Sequence, residues 1–367
     1  MRVLAVVPGN IVHETAQFLG LHAAGVDLAV VTTRRIEPDA GRLEAAGVPV
    51  HEVPLRARID RAGVRALRAR ILEHRAQIVH AFNNRTVSNA LAATRGLPVK
   101  FVAYRGIAGN VSVYNPASWL TYLHPRVDRI VCVAEAVRES LLAVRGPFGW
   151  RIPPAKLVTV YKGHDPAWYT APPADLGALG LPAGAFTVAC VANYRPRKGV
   201  TVLLDALERL GPKRPVHVLL IGHMDHPRLR RKIARHPFRE RIHVLGFRRD
   251  AVQIQAACSV CVLPALRREG LPKSIIEGMV YGVPPVVSDA GGSPELVEPG
   301  VSGLVVPAGD AQALAEALAR LQDDPALRAR MGAAARQRIL EHFTVARTVE
   351  QTHALYRELL EAGGASR

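Results

Sequence analysis

The chain contains, at residues 263–278, the stretch Leu-Pro-Ala-Leu-Arg-Arg-Glu-Gly-Leu-Pro-Lys-Ser-Ile-Ile-Glu-Gly, in which seven residues separate Glu269 from Glu277. The first half predicts a loop, because Gly270 and Pro272 break regular structure. The second half predicts a helix that runs to about residue 281, which places Glu277 about one turn inside it. One carboxylate is therefore expected on a loop and the other on the helix that follows.

The predicted helix begins with an open N-terminus that faces the loop. Its free N–H groups form a site for an anion, and Lys273 adds a positive charge there. In such an arrangement one carboxylate can bind sugar hydroxyls and the other a ribose diol. A phosphate can lie between them on the backbone amides, and a nucleotide-sugar requires this set of partners.

A structural interpretation of the same residues stays open. Ser274-x-x-Glu277 fits a capping box, in which Ser274 is the N-cap and Glu277 closes it. Glu269 would then be a solvated loop carboxylate. The carboxylates would in that case serve the local structure and not a ligand.

The composition is that of a globular protein with a buried core. Of 367 residues, 49% are hydrophobic and 22% are charged, which suits two or three domains. Five apolar residues follow Met1-Arg2, too few for the core of a signal peptide. The longest uncharged stretch, 176–194, contains Pro182 and glycines, so it predicts a loop and a strand and not a membrane span. We therefore expect a cytoplasmic protein.

The formal net charge is +17, with 48 basic and 31 acidic residues, and this excess favours an anionic partner. Nucleic acid, an anionic membrane surface and a phosphorylated lipid substrate all fit the charge. No RNA-binding signature or zinc finger is present, and aromatic residues make up 5% of the chain, which argues against nucleic acid. An excess of arginine in an alanine-rich chain also fits a plain compositional bias.

The four cysteines lie in apolar, strand-like runs and are expected to be reduced core residues. Cys258-x-x-Cys261 has the spacing of a redox motif, but nothing else around it does. The histidines are scattered and no aspartate pair has the spacing of metal ligands, so we expect neither a metal nor a cofactor.

Apolar runs alternate with helical patterns in both halves of the chain, which predicts βαβ units and parallel sheets. Such sheets bind ligands at the carboxyl ends of their strands. In the first half these ends carry Gly9-Asn10, the segment 80–84 and Arg105-Gly106. The predicted strands lie at 3–7, 28–32, 48–53, 78–80, 99–104, 130–133, 187–192, 216–221, 242–245, 260–263 and 285–289. The predicted helices include 11–25, 61–76, 88–94, 200–210, 311–321, 325–341 and 345–360.

A basic loop follows the first predicted strand of the second half. Arg195, Arg197 and Lys198 crowd this turn, and Gly199 lets the backbone pass close to a ligand. Basic side chains at the carboxyl end of a strand suit a diphosphate, and they would stabilise charge that builds on a leaving phosphate. A solvated basic turn is the structural alternative.

Four phrases of the second half resemble a known family. They are Glu269-x7-Glu277, Gly282-x-Pro284-x-Val286-Val-Ser-Asp289, Gly291-Gly-Ser-Pro-Glu295 and Gly303-Leu-Val-Val-Pro307. In this order they resemble the donor domain of retaining GT-B glycosyltransferases, in the large Glu-x7-Glu family (family 4, glycosyl transferases group 1).

The resemblance implies an α/β fold of the GT-B type, in which two Rossmann-like domains face each other across a cleft. The acceptor-side domain would cover 1–165 and the nucleotide-sugar-binding domain 166–344, with a linker over about 165–181. The C-terminal helix, 345–367, would pack back on the first domain.

The resemblance also implies residue roles. Glu269 would hold hydroxyls of the transferred sugar and Glu277 the nucleotide ribose. Where the family usually has Gly-Arg, this chain has Ala192-Asn193, so Arg195 is expected to bind the diphosphate with Lys198, and Arg197 is the second choice. Further donor contacts are implied for Gly9, Arg105, Asn193, Phe247, Gly270, Leu271, Pro272 and Lys273. His80 could line the acceptor cleft or be a structural histidine.

The implied reaction is transfer of a sugar from a nucleoside-diphosphate-sugar to an acceptor hydroxyl with retention, by front-face displacement and without a metal. The acceptor would be a glycan or a lipid-linked glycan of lipopolysaccharide-like synthesis. A peripheral site on an anionic inner membrane face is suggested by the basic helix 61–75 and by Trp119, Tyr122 and Leu123. The alternatives are a sugar-nucleotide epimerase of the same fold and a non-catalytic protein that binds nucleic acid or glycan.

Overall fold

The computed structural model of the chain describes residues 1–9 and 12–364. These residues form thirteen β-strands and thirteen α-helices. The chain divides into two compact units: the first comprises Met1–Gly163 and the segment that begins at Phe343, and the second comprises His164–His342. Each unit contains one parallel sheet between helices, and each is described by itself.

The first unit contains a seven-stranded parallel sheet of order β3-β2-β1-β4-β5-β6-β7. Its strands are β1 (Arg2–Val7), β2 (Asp27–Thr32), β3 (Val50–Glu52), β4 (Ile78–Ala81), β5 (Lys100–Arg105), β6 (Arg129–Cys132) and β7 (Leu157–Thr159). Its helices are α1 (Val12–Ala23), α2 (Asp39–Ala45), α3 (Arg61–Glu73), α4 (Asn84–Ala93), α5 (Pro116–Trp119), α6 (Glu135–Leu142) and α13 (Val345–Gly364). The central strands are buried on both faces, which explains their continuous apolar runs.

Helix α13 is the last element of the chain and packs against α1 of the first unit. The Nε2 group of Gln17 donates to Oγ1 of Thr352 at 3.1 Å. Tyr356 is fully buried, and its hydroxyl lies 2.7 Å from Nδ1 of His80 on β4. A buried polar pair of this kind attaches the helix at a defined position, because either partner left alone would lose its hydrogen bond in the core.

The second unit contains a six-stranded parallel sheet of order β10-β9-β8-β11-β12-β13. Its strands are β8 (Phe186–Val191), β9 (Val216–Ile221), β10 (Ile242–Gly246), β11 (Val260–Leu263), β12 (Pro285–Ser288) and β13 (Leu304–Val306). Its helices are α7 (Val200–Leu210), α8 (Pro227–Ala234), α9 (Ala251–Ala256), α10 (Lys273–Val280), α11 (Ala311–Asp323) and α12 (Pro325–His342).

The order of strands in this sheet reverses between β8 and β11, so the loops that leave these two strands lie side by side. The amide of Leu266 donates to the carbonyl oxygen of Arg197 at 2.7 Å. Gly199 has a φ of +69°, and a Cβ atom there would lie 1.7 Å from the carbonyl oxygen of Pro264. Only glycine fits this approach, and the fit joins the basic loop to the Glu269 loop.

The predicted strands are confirmed with ends that differ by one or two residues, because their apolar runs are the buried interiors of two sheets. Seven short elements were missed from the sequence: β7, β13, α2, α5, α6, α8 and α9. The dipeptide Ser293-Pro294 predicts the start of a helix, with Ser293 as the N-cap and Pro294 as the first helical position. Pro294–Leu296 is only a short 3₁₀ turn, and Ser293 has helical backbone angles without a side-chain cap, so the expected N-cap is wrong.

Candidate active site

The backbone of Glu269 is held against a glycine turn that follows β12. Gly291 has a φ of +60°, and a Cβ atom at this position would lie 2.2 Å from the carbonyl oxygen of Glu269. The amide of Gly292 donates to the same oxygen at 3.3 Å. Arg268, next to Glu269, has a positive φ of 58°, which is uncommon for a residue with a side chain. The loop therefore presents the Glu269 carboxylate from a backbone that the glycine turn defines.

Glu269 forms an ion pair with the basic loop. The Nζ atom of Lys198 lies 2.9 Å from Oε1 and 2.8 Å from Oε2 of Glu269, whose side chain is 9% exposed. The Nη1 atom of Arg197 lies 3.6 Å from Oε2 of Glu269 and donates to the carbonyl oxygen of Arg268 at 3.0 Å. Two cations against one carboxylate leave a net positive charge at this point, which favours an anionic ligand.

The structure thus brings Lys198 and Arg197 to Glu269, whereas the side chain of Arg195 is exposed. The sequence had favoured Arg195 over Arg197 for the diphosphate. The 3₁₀ turn over Pro196–Lys198 decides which arginine reaches the carboxylate, and its register was not readable from the residue types. Arg197 is therefore the better placed of the two.

Glu277 lies on α10 and is 8% exposed. Burial raises the pKa of its carboxyl, and the ammonium of Lys273, 3.1 Å from Oε1, partly offsets that rise. The alternative of a capping box is wrong, because α10 begins at Lys273 with Pro272 as its N-cap and no side-chain cap. The first-turn amides of Lys273 and Ser274 therefore have no intrahelical acceptor and stay available to a ligand.

Tyr169, from the segment before β8, lies near Glu277 and was not predicted as a site residue. Burial and the nearby Glu277 both raise the pKa of the Tyr169 hydroxyl. This hydroxyl lies 2.6 Å from Nδ1 of His164. Tyr169 also packs edge-on against Tyr281, with ring centroids 6.3 Å apart. The one sequence signal was the aromatic content of residues 161–169, which is far along the chain from Glu277.

A cavity of about 630 Å³ lies at the carboxyl ends of β9 and β10. The rings of His223 and Phe247 stack at its wall, with centroids 5.3 Å apart and planes at 13°. Phe247 is 65% exposed, so its ring is accessible to a ligand. Oδ1 of Asn193 accepts a hydrogen bond from the amide of His223 at 3.1 Å, which ties the basic loop to this wall.

The residues predicted in the first unit have different surroundings. His80 is 1% exposed and stacks on Phe82, and burial lowers its pKa to about 3, so the imidazole is neutral at pH 7. It is a core residue that binds α13, and this placement argues against an exposed acceptor-binding role. Gly9 lies just after β1, while its neighbour Asn10 falls outside the described residues.

Arg105 is 3% exposed and lies with its guanidinium carbon 4.8 Å from the ring centroid of Tyr122. Its Nη1 group donates to Oδ1 of Asn84 at 3.5 Å, and Nη2 donates to the carbonyl oxygen of Gly109. Arg105 borders a cavity of about 610 Å³ in the first unit.

Two of the three residues that were expected to contact a membrane surface are buried. Tyr122 and Leu123 are each 5% exposed, so their side chains cannot enter a bilayer, although Trp119 is 36% exposed. Within the described part of the chain, no helix is both long and apolar enough to cross a membrane. Among residues 1–9 and 12–364, no group of three or more His, Cys, Asp or Glu side chains could hold a metal ion.

The cysteine prediction is confirmed. The four cysteines are buried and unpaired with one another. Burial raises the pKa of the thiols of Cys132, Cys190, Cys258 and Cys261 to about 12, so they are protonated and unreactive at neutral pH.

Two family models match the chain. Residues 11–168 match the model described as "Glycosyltransferase Family 4", and residues 185–324 match the model described as "Glycosyl transferases group 1". The second match contains the basic loop, Glu269, Glu277 and the cavity with Phe247. Both units of the fold therefore correspond to glycosyltransferase domains.

Two curated relatives illustrate the similarity of the chain to known enzymes. The chain is 30% identical over 271 residues to the alpha-maltose-1-phosphate synthase of Mycolicibacterium smegmatis, which covers 67% of each protein. It is 33% identical over 170 residues to a GDP-mannose-dependent monoacylated alpha-(1-6)-phosphatidylinositol monomannoside mannosyltransferase of Corynebacterium glutamicum. That match covers 44% of each protein, so the chain spans less than half of this relative's length.

Solved structures support the fold. A glycosyltransferase from Rickettsia africae aligns with a TM-score of 0.80 and 18% identity over 98% of both chains. Anabaena Alr3699/HepE in complex with UDP-glucose aligns with a TM-score of 0.77 and 22% identity, over 99% of this chain and 100% of that one. The predicted fold class, with two Rossmann-like parallel sheets, is confirmed. The chain therefore belongs to the GT-B glycosyltransferases of the group 1 and family 4 type.

Proposed function

We propose that the protein transfers a sugar from a nucleoside-diphosphate-sugar to an acceptor hydroxyl with retention of the anomeric configuration. The observation that carries the proposal is the pair formed by Lys198 and Glu269, shortly before the uncapped N-terminus of α10, which bears Glu277. The second unit therefore contains four groups that a nucleotide-sugar needs. They are a cation, a carboxylate for the sugar hydroxyls, an anion site and a carboxylate for the ribose.

Each part of the donor has a partner in this arrangement. Glu277 accepts hydrogen bonds from the ribose hydroxyls, and the first-turn amides of α10 hold the distal phosphate. Lys198 and Arg197 hold the diphosphate as a point charge and a planar fork. When the diphosphate shares Lys198, Glu269 is released to accept hydrogen bonds from the transferred sugar.

The base of the nucleotide is assigned to the wall formed by His223 and Phe247. Two stacked rings, one of them largely exposed, offer a flat apolar face to a heterocycle. Anabaena Alr3699/HepE, which has the same fold, was solved in complexes with UDP and with UDP-glucose. This likeness supports a nucleotide site but leaves the identity of the base to experiment.

The proposed reaction breaks the bond between the anomeric carbon and the leaving phosphate oxygen. The bond to the acceptor oxygen forms on the same face, and the acceptor proton passes to the leaving diphosphate. Lys198, Arg197 and the α10 amides stabilise the negative charge that grows on the diphosphate, which is where electrostatic catalysis has its largest effect. These cationic groups take the part that a metal ion has in other phosphate-leaving reactions.

The acceptor is assigned to a cell-envelope glycan or glycolipid. Relatives of the chain include a putative colanic acid biosynthesis glycosyltransferase of Salmonella typhimurium, 33% identical over 178 residues, and an amylovoran biosynthesis glycosyltransferase of Erwinia amylovora. A peripheral position on an anionic membrane surface remains part of the proposal, and it rests on the net charge of +17 and on α3. An epimerase would convert the donor without an acceptor, which separates the two activities.

The test is thermal stability of the full chain against a panel of UDP-, GDP- and ADP-sugars. A ligand in large excess over its Kd adds a few kcal/mol to folding stability and raises Tm. We expect a shift with one nucleotide, lost in Glu277→Ala and kept in the surface control Glu350→Ala on α13. No shift with any donor, or the same shift in both variants, would overturn the assignment of the site.

A further inference from the structure

The first unit contains a second place suited to an anion. Its cavity of about 610 Å³ opens at the carboxyl ends of β1, β4 and β5, where the strand order of this sheet reverses. Arg85 and Arg105 both border it, together with the rings of Phe82, Tyr104 and Tyr122. No acidic side chain lines the cavity, so its charge among the described residues is positive.

Arg105 is the unusual member of this lining. Its side chain is 97% removed from solvent, and its Nε group has no hydrogen-bond partner among the described residues. Its contacts are with the oxygens of Asn84 and Gly109 and the ring of Tyr122, none of which carries a full negative charge. A buried guanidinium without an anion is costly, so an anion in the cavity would stabilise this arrangement.

The adjoining helix adds backbone donors. Asn83 and Thr86 form a capping box, in which the Asn83 side chain accepts from the amide of Thr86 and Thr86 Oγ1 accepts from the amide of Asn83. The amides of Asn84 and Arg85 belong to the first turn of α4 and have no intrahelical acceptor. They stand at the positive end of a helix of ten residues, beside the cavity.

We propose that this cavity binds a phosphate group carried by the glycosyl acceptor. Arg105, Arg85 and the α4 amides approach from several directions, which suits the three terminal oxygens of a phosphomonoester better than the two of a carboxylate. The aromatic rings provide walls for the rest of the acceptor. The inference rests on the proposed function. The cavity of the first unit would bind the acceptor, which is the second substrate of the proposed reaction.

The experiment measures binding of sn-glycerol 3-phosphate to the full chain by titration calorimetry without donor. Glycerol is the neutral match and glycerate the carboxylate match. We expect binding of the phosphate ester, weaker binding of glycerate and none of glycerol. Arg85→Ala should weaken binding at least about tenfold, since it removes a charge-assisted hydrogen bond to the phosphate. Arg105→Gln should abolish it.

The matched control is Arg357→Ala, which removes the same charge from an exposed position of α13. It should leave the affinity unchanged. Equal affinity in Arg85→Ala and in the wild type, equal losses in Arg85→Ala and Arg357→Ala, or tighter binding of glycerate than of the phosphate ester would overturn the proposal. Arg85 is exposed, so its variant stays informative even where Arg105→Gln fails to fold.

Two further measurements are needed. One distinguishes a lipid phosphate from a soluble phosphate ester, and the other distinguishes failure of the phosphate site from failure of the proposed function. Vesicles of phosphatidylcholine with phosphatidic acid, compared with phosphatidylcholine alone, report a lipid phosphate. If the protein binds the phosphatidic acid vesicles and glycerol 3-phosphate displaces it from them, the acceptor is a lipid. If the protein binds glycerol 3-phosphate but not the vesicles, the acceptor is soluble. If the protein binds neither the vesicles nor glycerol 3-phosphate, the proposed phosphate site is wrong. A donor-induced rise in Tm in the same preparation shows that the proposed function stands when the phosphate site fails.

Discussion

The ammonium of Lys198 lies within 2.9 Å of both carboxylate oxygens of Glu269, although the two residues are 71 positions apart along the chain. The pair exists because β8 and β11 are neighbours in the sheet and their loops are joined at Gly199. Without a ligand it neutralises a nearly buried carboxylate, and with a diphosphate present the same ammonium serves the leaving group.

Lys198→Met is expected to reduce transfer by several orders of magnitude and to lower the free energy of unfolding by about 3 kcal/mol, because it leaves a buried carboxylate short of a partner. Urea unfolding and donor turnover measure the two effects. Lys213→Met, at an exposed position of the same unit, is the control and should change neither. Full activity in Lys198→Met would exclude its role.

Arg197→Gln and Arg195→Gln form a matched pair in one turn. Arg197 contacts Glu269 and Arg195 is exposed, so we expect at least a tenfold larger loss of kcat/KM for Arg197→Gln, as for loss of one charge-assisted contact. Steady-state kinetics with the identified donor checks this order. The reverse order would return the diphosphate role to Arg195, as the sequence had suggested.

Gly291→Ala should disturb the site through the backbone of Glu269. A Cβ atom would lie 2.2 Å from the Glu269 carbonyl oxygen, so the loop must shift in addition to the cost of a positive φ. Gly300→Ala is the control, since its φ is +81° and nothing lies within 4 Å of the added atom. Gly300→Ala should lose about 1 kcal/mol of stability from the positive φ alone, and Gly291→Ala should lose more because of the clash. Only Gly291→Ala should lose donor binding. Equal donor affinity in the two variants would contradict the argument.

Glu277 predicts a pH dependence. Burial raises its folded pKa, so the folded state holds the proton more tightly than the unfolded chain. Its contribution to stability is therefore complete below the ordinary glutamate pKa of about 4.3 and is lost as pH rises through the folded value. The unfolding free energy of the wild type minus that of Glu277→Gln should fall in urea titrations as pH rises above about 4. A difference that is constant or rises with pH would contradict the assignment.

Phe247→Ala should weaken donor binding about tenfold, since stacking of one base on an aromatic ring contributes about 1–3 kcal/mol. The KM for the donor measures this effect, and kcat should change little because the base is remote from the reacting bond. Phe148→Ala removes a fully exposed ring in the first unit and should be neutral. An unchanged donor KM in Phe247→Ala would move the base away from this wall.

Much of the fold was predictable because strands buried on both faces read as apolar runs. The placement of Glu269 on a loop and of Glu277 on a helix was also predictable, because the neighbouring Gly270 and Pro272 mark where the loop ends and the helix begins. The neighbourhood of Tyr169 and Glu277 was not predictable, because their closeness depends on how distant segments pack. For His80 the sequence left two roles open, because a histidine at the end of a buried strand can line a cleft or face the core. In the structure it faces the core.

The most direct test of the central claim is the anomer of the sugar that the enzyme releases from its donor to water. The identified nucleotide-sugar is incubated with the full chain, and proton NMR records the first free sugar before it equilibrates. The account predicts slow release with the anomeric configuration of the donor and no release by Lys198→Met. An inverted sugar, an epimerised one, or equal release by Lys198→Met would contradict it.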